Sequence, residues 1–492
     1  MQLSIDLDSS NNQSLQSQIF ESIRQQILSG RLKPDSLLPS TRLLSEQLCV
    51  SRNTVVLAYD LLISEDYINS RRTIGTFVSS KIPESSLTLV KTDGNQSSQE
   101  ERHSIQYPIV FKGRGQELNN PDKDKLEIDF CMGRTDPHSF PDSHWRQLML
   151  AQLRNFGSKM TEYHDPAGIF EIRCAIADHL LPARGMVVDP EQVIIVNGSQ
   201  EALNVVARLL VKQGTKVVTE CPCYQGAAYV FESYGAQIYP VNVDKEGLNI
   251  SELPQTSVSM VYVTPSHQYP MGSTLSLNRR IGLLEWAREV GAFIIEDDFD
   301  SDFRHLSSPL TAIAGQDPHG CVIYTGTFSK SIGAGLRMGY MVVPHELVKP
   351  AKTVKALFNN GHSWLEQAVL AEFISSGSYA KHLRRIRRVY LSRRDCVVDS
   401  LQKYFGKVKL SGLEGGTHLV WHLPKHFPDA LKIKRLAENA GIGIYTIDSC
   451  AAYEFGKSNY NKHTLIFGYS SVPEDKICEG IKRLASVLET EL

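Results

Sequence analysis

YTGTFSKSIGAGLRMGY, residues 324–340, decides the fold. A strand candidate beginning VIYT at Val322 runs into a turn of hydroxylated residues and glycines that carries Lys330, and Arg337 follows seven residues on. By itself such a lysine is most often a surface residue. Two further stretches have the same design, with polar residues just beyond the carboxyl end of an apolar strand, where open α/β sheets build their sites. In VIIVNGSQEALNVVARLL, residues 193–210, a strand and a glycine turn lead into a helix start, whose free amides and dipole favour a phosphate, although many such turns hold none. In the third, FIIE from Phe293 is followed by Asp297, with Glu296 and Asp298 beside it; the alternative there is a solvated acidic loop.

Taken together the three supply an amine able to form a Schiff base, hydroxyls and an arginine for a phosphate, and a carboxylate to keep a pyridine nitrogen protonated. That is the chemistry of a pyridoxal 5′-phosphate site. Around it, strand candidates alternate with amphipathic helices from residue 126 onward (KVVTE at 216, MVYV at 260, MVVP at 341), which predicts a mostly parallel α/β sheet. Beyond 345 long helical patterns dominate, broken by THLVW at 417, IGIYTI at 442 and TLIFGY at 464, which predict a smaller α+β part.

The first 81 residues read differently. Leu15, Ile19, Ile23 and Ile27 repeat at helical spacing up to Gly30; Ser40 can cap a second helix through Leu44 and Leu48, and Ser51 a third with the apolar stripe Val55, Ala58 and Leu62. This is helix-turn-helix spacing, with Arg52, Asn53 and Thr54 in the first turn of the third helix. Tyr67 and Ile68, then Arg71, Arg72 and Thr73 in a basic turn, then Thr76, Phe77 and Val78 predict two strands and a wing. Eight basic side chains balance eight acidic ones in residues 1–81, so the expectation of double-stranded DNA as a partner rests on the placement of Arg42, Arg52, Arg71 and Arg72. The competing reading is a helical protein-interaction domain. Residues 82–125 are polar and aperiodic and read as a linker between domains 1–81 and 126–492.

Composition agrees with this division. A chain of 492 residues holds two or three domains, and 52 basic against 54 acidic residues exclude a uniformly basic nucleic-acid coat protein. The nine cysteines lack CxxC spacing, since Cys221 and Cys223 enclose only Pro222; reduced thiols and no metal site are expected. The opening MQLSIDLDSS has no signal-peptide pattern and no run reaches the length of a membrane span, so a soluble, cytoplasmic protein without a membrane partner is expected.

LPSTRLLSEQLCVSRNTVVLAYDLL (38–62) followed by SRRTIGTFV (70–78) resembles the winged helix of GntR-type bacterial regulators, departing from it at Asp35, where glycine is common, and at Asp66–Tyr67, where Glu-Gly is common. DPAGIFEIRCAIADHLLPARGM (165–186), GSQEAL, TPSHQYPMG (264–272), IEDDFDSDFRH (295–305), YTGTFSK and LRMGY resemble the aminotransferase-like domain of the MocR subfamily over nearly all of 126–492. The order of the two halves matches that subfamily, whose architecture is a winged helix-turn-helix joined to a fold-type I aminotransferase-like domain. The resemblance implies Lys330 as the Schiff-base lysine, Asp297 as partner of the pyridine nitrogen, Tyr224 stacked on the ring, and Ser199, Gln200, Thr327, Ser329 and Arg337 around the phosphate. It further implies a homodimer in which Tyr163 reaches the phosphate of the neighbouring subunit; the alternative is a tyrosine that merely packs under the helix near Gly168.

Two departures bear on function. Phe299 stands where a tyrosine usually contacts the cofactor's ring oxygen, leaving Tyr269 or His267 as replacements. Ile466 stands where aminotransferases place an arginine that clamps the substrate carboxylate, leaving Arg134 as the alternative clamp. Ordinary amino-acid transamination is therefore not expected. The implied function is a transcriptional regulator that senses pyridoxal phosphate or a small amine, not an enzyme; a working aminotransferase with a DNA-binding domain, and a regulator that has lost the cofactor, are the alternatives. KHLRRIRRVYLSRRD (381–395) places Arg384, Arg385, Arg387, Arg388, Arg393 and Arg394 on one helix, read as a solvated or intersubunit surface in preference to a DNA-backbone contact.

Overall fold

The computed structural model describes residues 3–8, 13–71, 74–80, 126–305, 310–456 and 460–489. The chain divides into two compact units, with the division between Tyr107 and Pro108. The expected linker 82–125 lies outside the described residues. No helix among the described residues is long and apolar enough to cross a membrane.

The first unit packs α1 (Leu15–Leu28), α2 (Thr41–Leu48) and α3 (Arg52–Ser64) beside a hairpin of β1 (Ile68–Arg71) and β2 (Gly75–Val78). The three helices start where the sequence offers side-chain caps: Ser14, Ser40 and Ser51 accept from the amides of Ser17, Leu43 and Thr54. Their inner faces form one core, with Ile19, Ile23, Leu44, Val55, Ala58 and Leu62 fully buried. Asp35 and Asp66 both adopt left-handed backbone, φ 60° and 59°, a conformation that glycine adopts freely and aspartate tolerates. The glycine-like position is thus Asp66 itself. Tyr67 is a buried core residue whose hydroxyl accepts from Arg24.

The second unit opens with β3 (Ile128–Asp129), α4 (Asp142–Arg154) and α5 (Phe170–Arg184). Next come β4 (Val193–Val196), α6 (Ser199–Leu210), β5 (Lys216–Cys221), β6 (Cys223–Tyr224), α7 (Gln225–Ser233), β7 (Gln237–Asp244), β8 (Gly247–Leu248), β9 (Met260–Val263), α8 (Leu277–Val290), β10 (Phe293–Asp298), β11 (Val322–Thr327) and β12 (Gly339–Val342). It ends with α9 (His345–Asn359), α10 (Trp364–Ser375), α11 (Ser378–Phe405), β13 (Lys409–Ser411), β14 (His418–His422), α12 (Ala430–Asn439), β15 (Ile442–Gly443), β16 (Ala452–Tyr453), β17 (Thr464–Gly468) and α13 (Glu474–Glu489).

Eight strands form one sheet in the order β4-β12-β11-β10-β9-β5-β7-β8. The neighbours from β11 to β7 run parallel, while β12 is antiparallel to both β11 and β4. VIIV and MVYV are buried at every position, as strands covered on both faces require. Two features of register build the site. Asp297 lies opposite Thr325, so the carboxyl ends of β10 and β11 open side by side, and Lys330 follows three residues after β11. Gly339 lies opposite Val196, and a Cβ on Gly339 would stand 2.8 Å from the carbonyl oxygen of Gly326 and 3.2 Å from Gly198 Cα, so a side chain there would push the phosphate turn away from β11. The smaller part contains an antiparallel sheet, β13-β14-β17. Of IGIYTI only Ile442–Gly443 is a strand, because the chain turns at Ile447 into a short 3₁₀ helix.

Candidate cofactor site and DNA-reading surface

A cavity of about 230 Å³ lies at the carboxyl ends of β10 and β11. It is lined by Lys330, Asp297, Tyr224, Ser199, Gln200, Thr327, Ser329, Arg337 and Tyr269, so nine of the residues singled out from sequence converge there.

Lys330 sits in a single π-helical turn, Ser329–Gly333, and its Nζ donates to the carbonyl oxygen of Gly133 at 2.9 Å. Burial pushes its ammonium below the ordinary lysine range, which favours the neutral, nucleophilic amine. Strand alternation puts Asp297 on one face of β10 and Glu296 and Asp298 on the other. Glu296 accepts from the amides of Ile313 and Ala314 at 2.9 Å each, Asp298 pairs with buried Arg184 at 2.6 Å, and only Asp297 lines the cavity. None is part of a solvated loop: all three are buried. Burial pushes the Asp297 carboxyl up to about 6, against hydrogen bonds from Tyr262 Oη (2.7 Å) and Thr325 Oγ1 (3.3 Å). Among the described residues no side-chain cation pairs with it within 4 Å. A carboxylate buried in this way needs a cation on its open side, and a protonated pyridine nitrogen meets that need.

The opposite end of the cavity suits a phosphate. Gly198, φ 85°, precedes α6, and a Cβ there would stand 3.3 Å from Arg337 Nη2. Arg337 holds left-handed backbone, φ 50°, and donates from Nη2 to the Asn197 carbonyl at 2.5 Å. Thr327 Oγ1 donates to Ser329 Oγ at 2.9 Å and accepts from the Ser329 amide at 3.1 Å. Amides of a helix start, hydroxyls and a guanidinium thus converge on one place. Gln200 Nε2 donates to Tyr224 Oη at 2.9 Å and so ties this end to the ring wall. The residues present fit pyridoxal phosphate.

Three groups of residues take partners that the sequence did not suggest. His267 does not line the cavity: its Nδ1 lies 2.9 Å from Asp300 Oδ2 and its ring stacks behind Phe299. Burial would raise the Asp300 carboxyl, yet His267 beside it holds it below the usual range. Tyr269 lines the cavity with its ring, as expected, while its hydroxyl donates to the Cys450 carbonyl. The arginines of α11 divide: Arg384 and Arg388 are exposed, as a solvated surface requires, whereas Arg385 and Arg387 donate to the carbonyls of Ser139 and Asp302, buried Arg394 donates to that of Leu413, and buried Arg393 donates to Asp136 (2.8 Å) and the Ser470 carbonyl. A helix wedged between packed segments needs donors for their orphan carbonyls, and charge patterning alone does not reveal that.

Tyr163 is 88% exposed and away from this chain's own cavity. Ile466 is fully buried in an apolar cluster with Val420 and Met271, and Arg134 is held by Asp129 at 2.5 Å. Sequence reasoning missed Met132, Gly133, Tyr262, Thr264, Thr417 and His418, which also line the cavity. Burial pushes the His418 imidazole down to about 3, leaving it neutral, and its Nε2 is 3.0 Å from the Pro270 carbonyl.

In the first unit Arg52 and Asn53 are exposed and Thr54 half-buried at the start of α3. Ser51 Oγ accepts from the Thr54 amide and is 2.7 Å from Thr54 Oγ1, so the hydroxyl of Ser51 is engaged in capping. Arg42 is exposed and 3.2 Å from Glu46, and Arg71 lies over the Phe77 ring and 3.4 Å from Asp35. Such exposed pairs exchange readily for phosphates. Arg72 and Thr73 lie outside the described residues.

Fold and site together define a winged helix-turn-helix unit followed by a fold-type I, pyridoxal-phosphate-dependent aminotransferase-like unit. The model of bacterial regulatory proteins of the gntR family matches residues 15–78, and that of aminotransferase class I and II matches residues 129–464. The probable rhizopine catabolism regulatory protein MocR of Rhizobium meliloti is 34% identical over 95% of this chain and 92% of its own. The HTH-type pyridoxine biosynthesis transcriptional regulator PdxR of Corynebacterium glutamicum is 30% identical over 94% of both. Among solved structures, the kynurenine aminotransferase of Pyrococcus horikoshii in complex with PMP is similar with a TM-score of 0.70 and 28% identity, covering 77% of this chain and 96% of that one. The chain belongs to the MocR subfamily of GntR-type transcriptional regulators, with a DNA-binding domain and a pyridoxal-phosphate-binding domain.

Proposed function

We propose that this regulator senses pyridoxal phosphate itself or a small amine lacking an α-carboxylate, and that it does so without transamination turnover, in the cytoplasm. The observation that carries the proposal is the absence of a carboxylate clamp. Arg337, at the phosphate end, is the one arginine lining the cavity among the described residues; Ile466 is apolar and buried, and Arg134 is committed to Asp129. A carboxylate brought against that wall would lose its hydration without a partner. The pyridoxine regulator among the relatives supports a cofactor-type effector.

Bound pyridoxal phosphate supplies an aldehyde carbon that reversibly captures primary amines. Lys330 is the residue that would hold it covalently, and burial, which lowers the ammonium's pKa, favours the neutral form of the displaced amine beside Gly133. Asp297 would hold a proton on the ring nitrogen, oriented by Tyr262 and Thr325. Ser199, Gln200, Thr327, Ser329 and Arg337 would fix the phosphate, and Tyr224 and Tyr269 would enclose the ring, excluding water. Phe299 offers no hydroxyl to the ring oxygen.

A homodimer through this unit is part of the proposal, with Tyr163, exposed and away from this chain's own cavity, serving the partner's phosphate site. Residues 82–125 would then act as the linker that lets domain 1–81 of each subunit reach its own half-site on double-stranded DNA, while 126–492 form the sensor. The test is binding of the full chain to the DNA upstream of its own coding sequence, with and without pyridoxal phosphate and a panel of simple amines. A several-fold change in affinity with cofactor or amine supports the reading. Affinity that is indifferent to all of them, or that responds only to α-amino acids, overturns it.

A further inference from the structure

Cys396 on α11 and Cys478 on α13, 82 residues apart in sequence, have their Sγ atoms 3.3 Å apart. Both are free thiols. The distance is short of ordinary sulfur contact, and a disulfide at about 2.05 Å needs the two sulfurs to close by little more than an ångström. They face an open groove of about 560 Å³ whose floor also includes Arg388, Asp395 and Asp399, so small solutes have access. Cys478 is exposed; Cys396 is half-buried, with its Sγ 3.4 Å from the Glu474 carbonyl. Burial, and then the contact with Cys478, push the Cys396 thiol up to about 12, so Cys478 is the thiol an oxidant reaches first and Cys396 gives up its proton only as it attacks.

We infer that Cys396 and Cys478 form a reversible dithiol–disulfide site on the effector domain, with a hydroperoxide as its oxidant. The peroxide transfers one oxygen to Cys478, giving a sulfenic acid and releasing the alcohol, or water from hydrogen peroxide. The Cys396 sulfur then attacks the Cys478 sulfur; the S–S bond forms and the S–O bond breaks, with the hydroxyl leaving as water together with the Cys396 proton. Two electrons pass from the thiol pair to the peroxide. Two equivalents of a small thiol reverse the change. Closure links the two ends of the segment that carries Thr417 and His418 of the cavity wall, and so ties the small sheet to its flanking helices.

The inference does not rest on the choice of effector. Its test treats the full holoprotein with a modest excess of hydrogen peroxide, alkylates remaining thiols after denaturation, and maps peptides by mass spectrometry. Two of the nine thiols should disappear, a 396–478 cross-linked peptide lighter by two hydrogens should form, and dithiothreitol should restore both. The thermal midpoint should rise by several degrees on oxidation. C396S and C478S should each abolish the cross-link, and C49S should leave it intact. If the thiols lost first lie elsewhere, or Cys478 goes on to the sulfinic acid with no cross-link in the wild type, the inference fails whatever the serine variants do.

Discussion

Lys330 donates from Nζ to the carbonyl oxygen of Gly133 at 2.9 Å, and a Cβ on Gly133 would stand 2.6 Å from that same nitrogen. The amine of one strand end is thus parked on the backbone of a distant segment, in a space only glycine leaves open. Gly133 also has φ 79°, so any side chain there is strained as well as crowded.

Lys330→Ala should therefore abolish both the visible absorbance of the lysine-bound cofactor and the borohydride-fixed adduct. Gly133→Ala should keep the lysine but weaken cofactor binding by about tenfold or more, the equivalent of about 1.4 kcal/mol of crowding. Spectrophotometric titration with pyridoxal phosphate separates the two; a normal visible band in Lys330→Ala would refute the assignment of the lysine.

Asp297 gives a pH-dependent prediction. Its carboxyl is raised from an ordinary value near 4 to about 6, so the folded cofactor-free protein binds its proton more tightly than the unfolded chain does. Stability from this group is then present at low pH and lost as pH rises between about 4 and 6. Asp297→Asn should raise the melting midpoint of the cofactor-free protein at pH 7.5, by up to about 3 kcal/mol in stability, and leave it little changed near pH 4. The same variant should bind cofactor more weakly. Equal effects at both pH values, or undiminished cofactor affinity, would contradict the role given to Asp297.

On DNA, Arg52→Ala should weaken specific binding by roughly tenfold or more, since base-reading contacts are worth about 1 to 3 kcal/mol each. Ser51→Ala should act differently, costing about 1 kcal/mol of stability in the first unit through loss of the cap. Calorimetry and binding isotherms on the same samples distinguish them. Unchanged binding after both Arg52 and Arg42 are replaced would remove the helix-turn-helix from the reading face.

Arg393→Ala should destabilise the second unit by about 3 to 5 kcal/mol, because it strands buried Asp136 and the Ser470 carbonyl. The salt dependence of DNA binding, measured where the variant is still folded, should not move. A reduced salt slope would assign the α11 arginines to the DNA interface after all.

What the sequence made legible were local signals: a lysine beyond a strand, a glycine before a helix, a serine before another, each read within a dozen residues. Asp297 was legible because strand alternation separates it from Glu296 and Asp298. Gly133, Tyr262 and His418 were not, since each reaches the cavity from a different part of the chain and nothing near them in sequence marks which side of a strand faces the ligand. His267 and Tyr269 sit in a motif close to the site, yet the turn that carries them directs one to Asp300 and the other to Cys450. The α11 arginines and the Cys396–Cys478 pair fail for the same reason: their partners are set by packing between helices distant in sequence.

The central claim is that the cavity holds cofactor without turning over amino acids. The direct measurement incubates the reconstituted protein with a panel of α- and γ-amino acids and a keto-acid acceptor, and counts product formed per site. The account predicts at most one conversion per bound cofactor, because no arginine stands where Ile466 is buried. Multiple turnovers per site with any common amino acid would contradict it and make the protein a working aminotransferase.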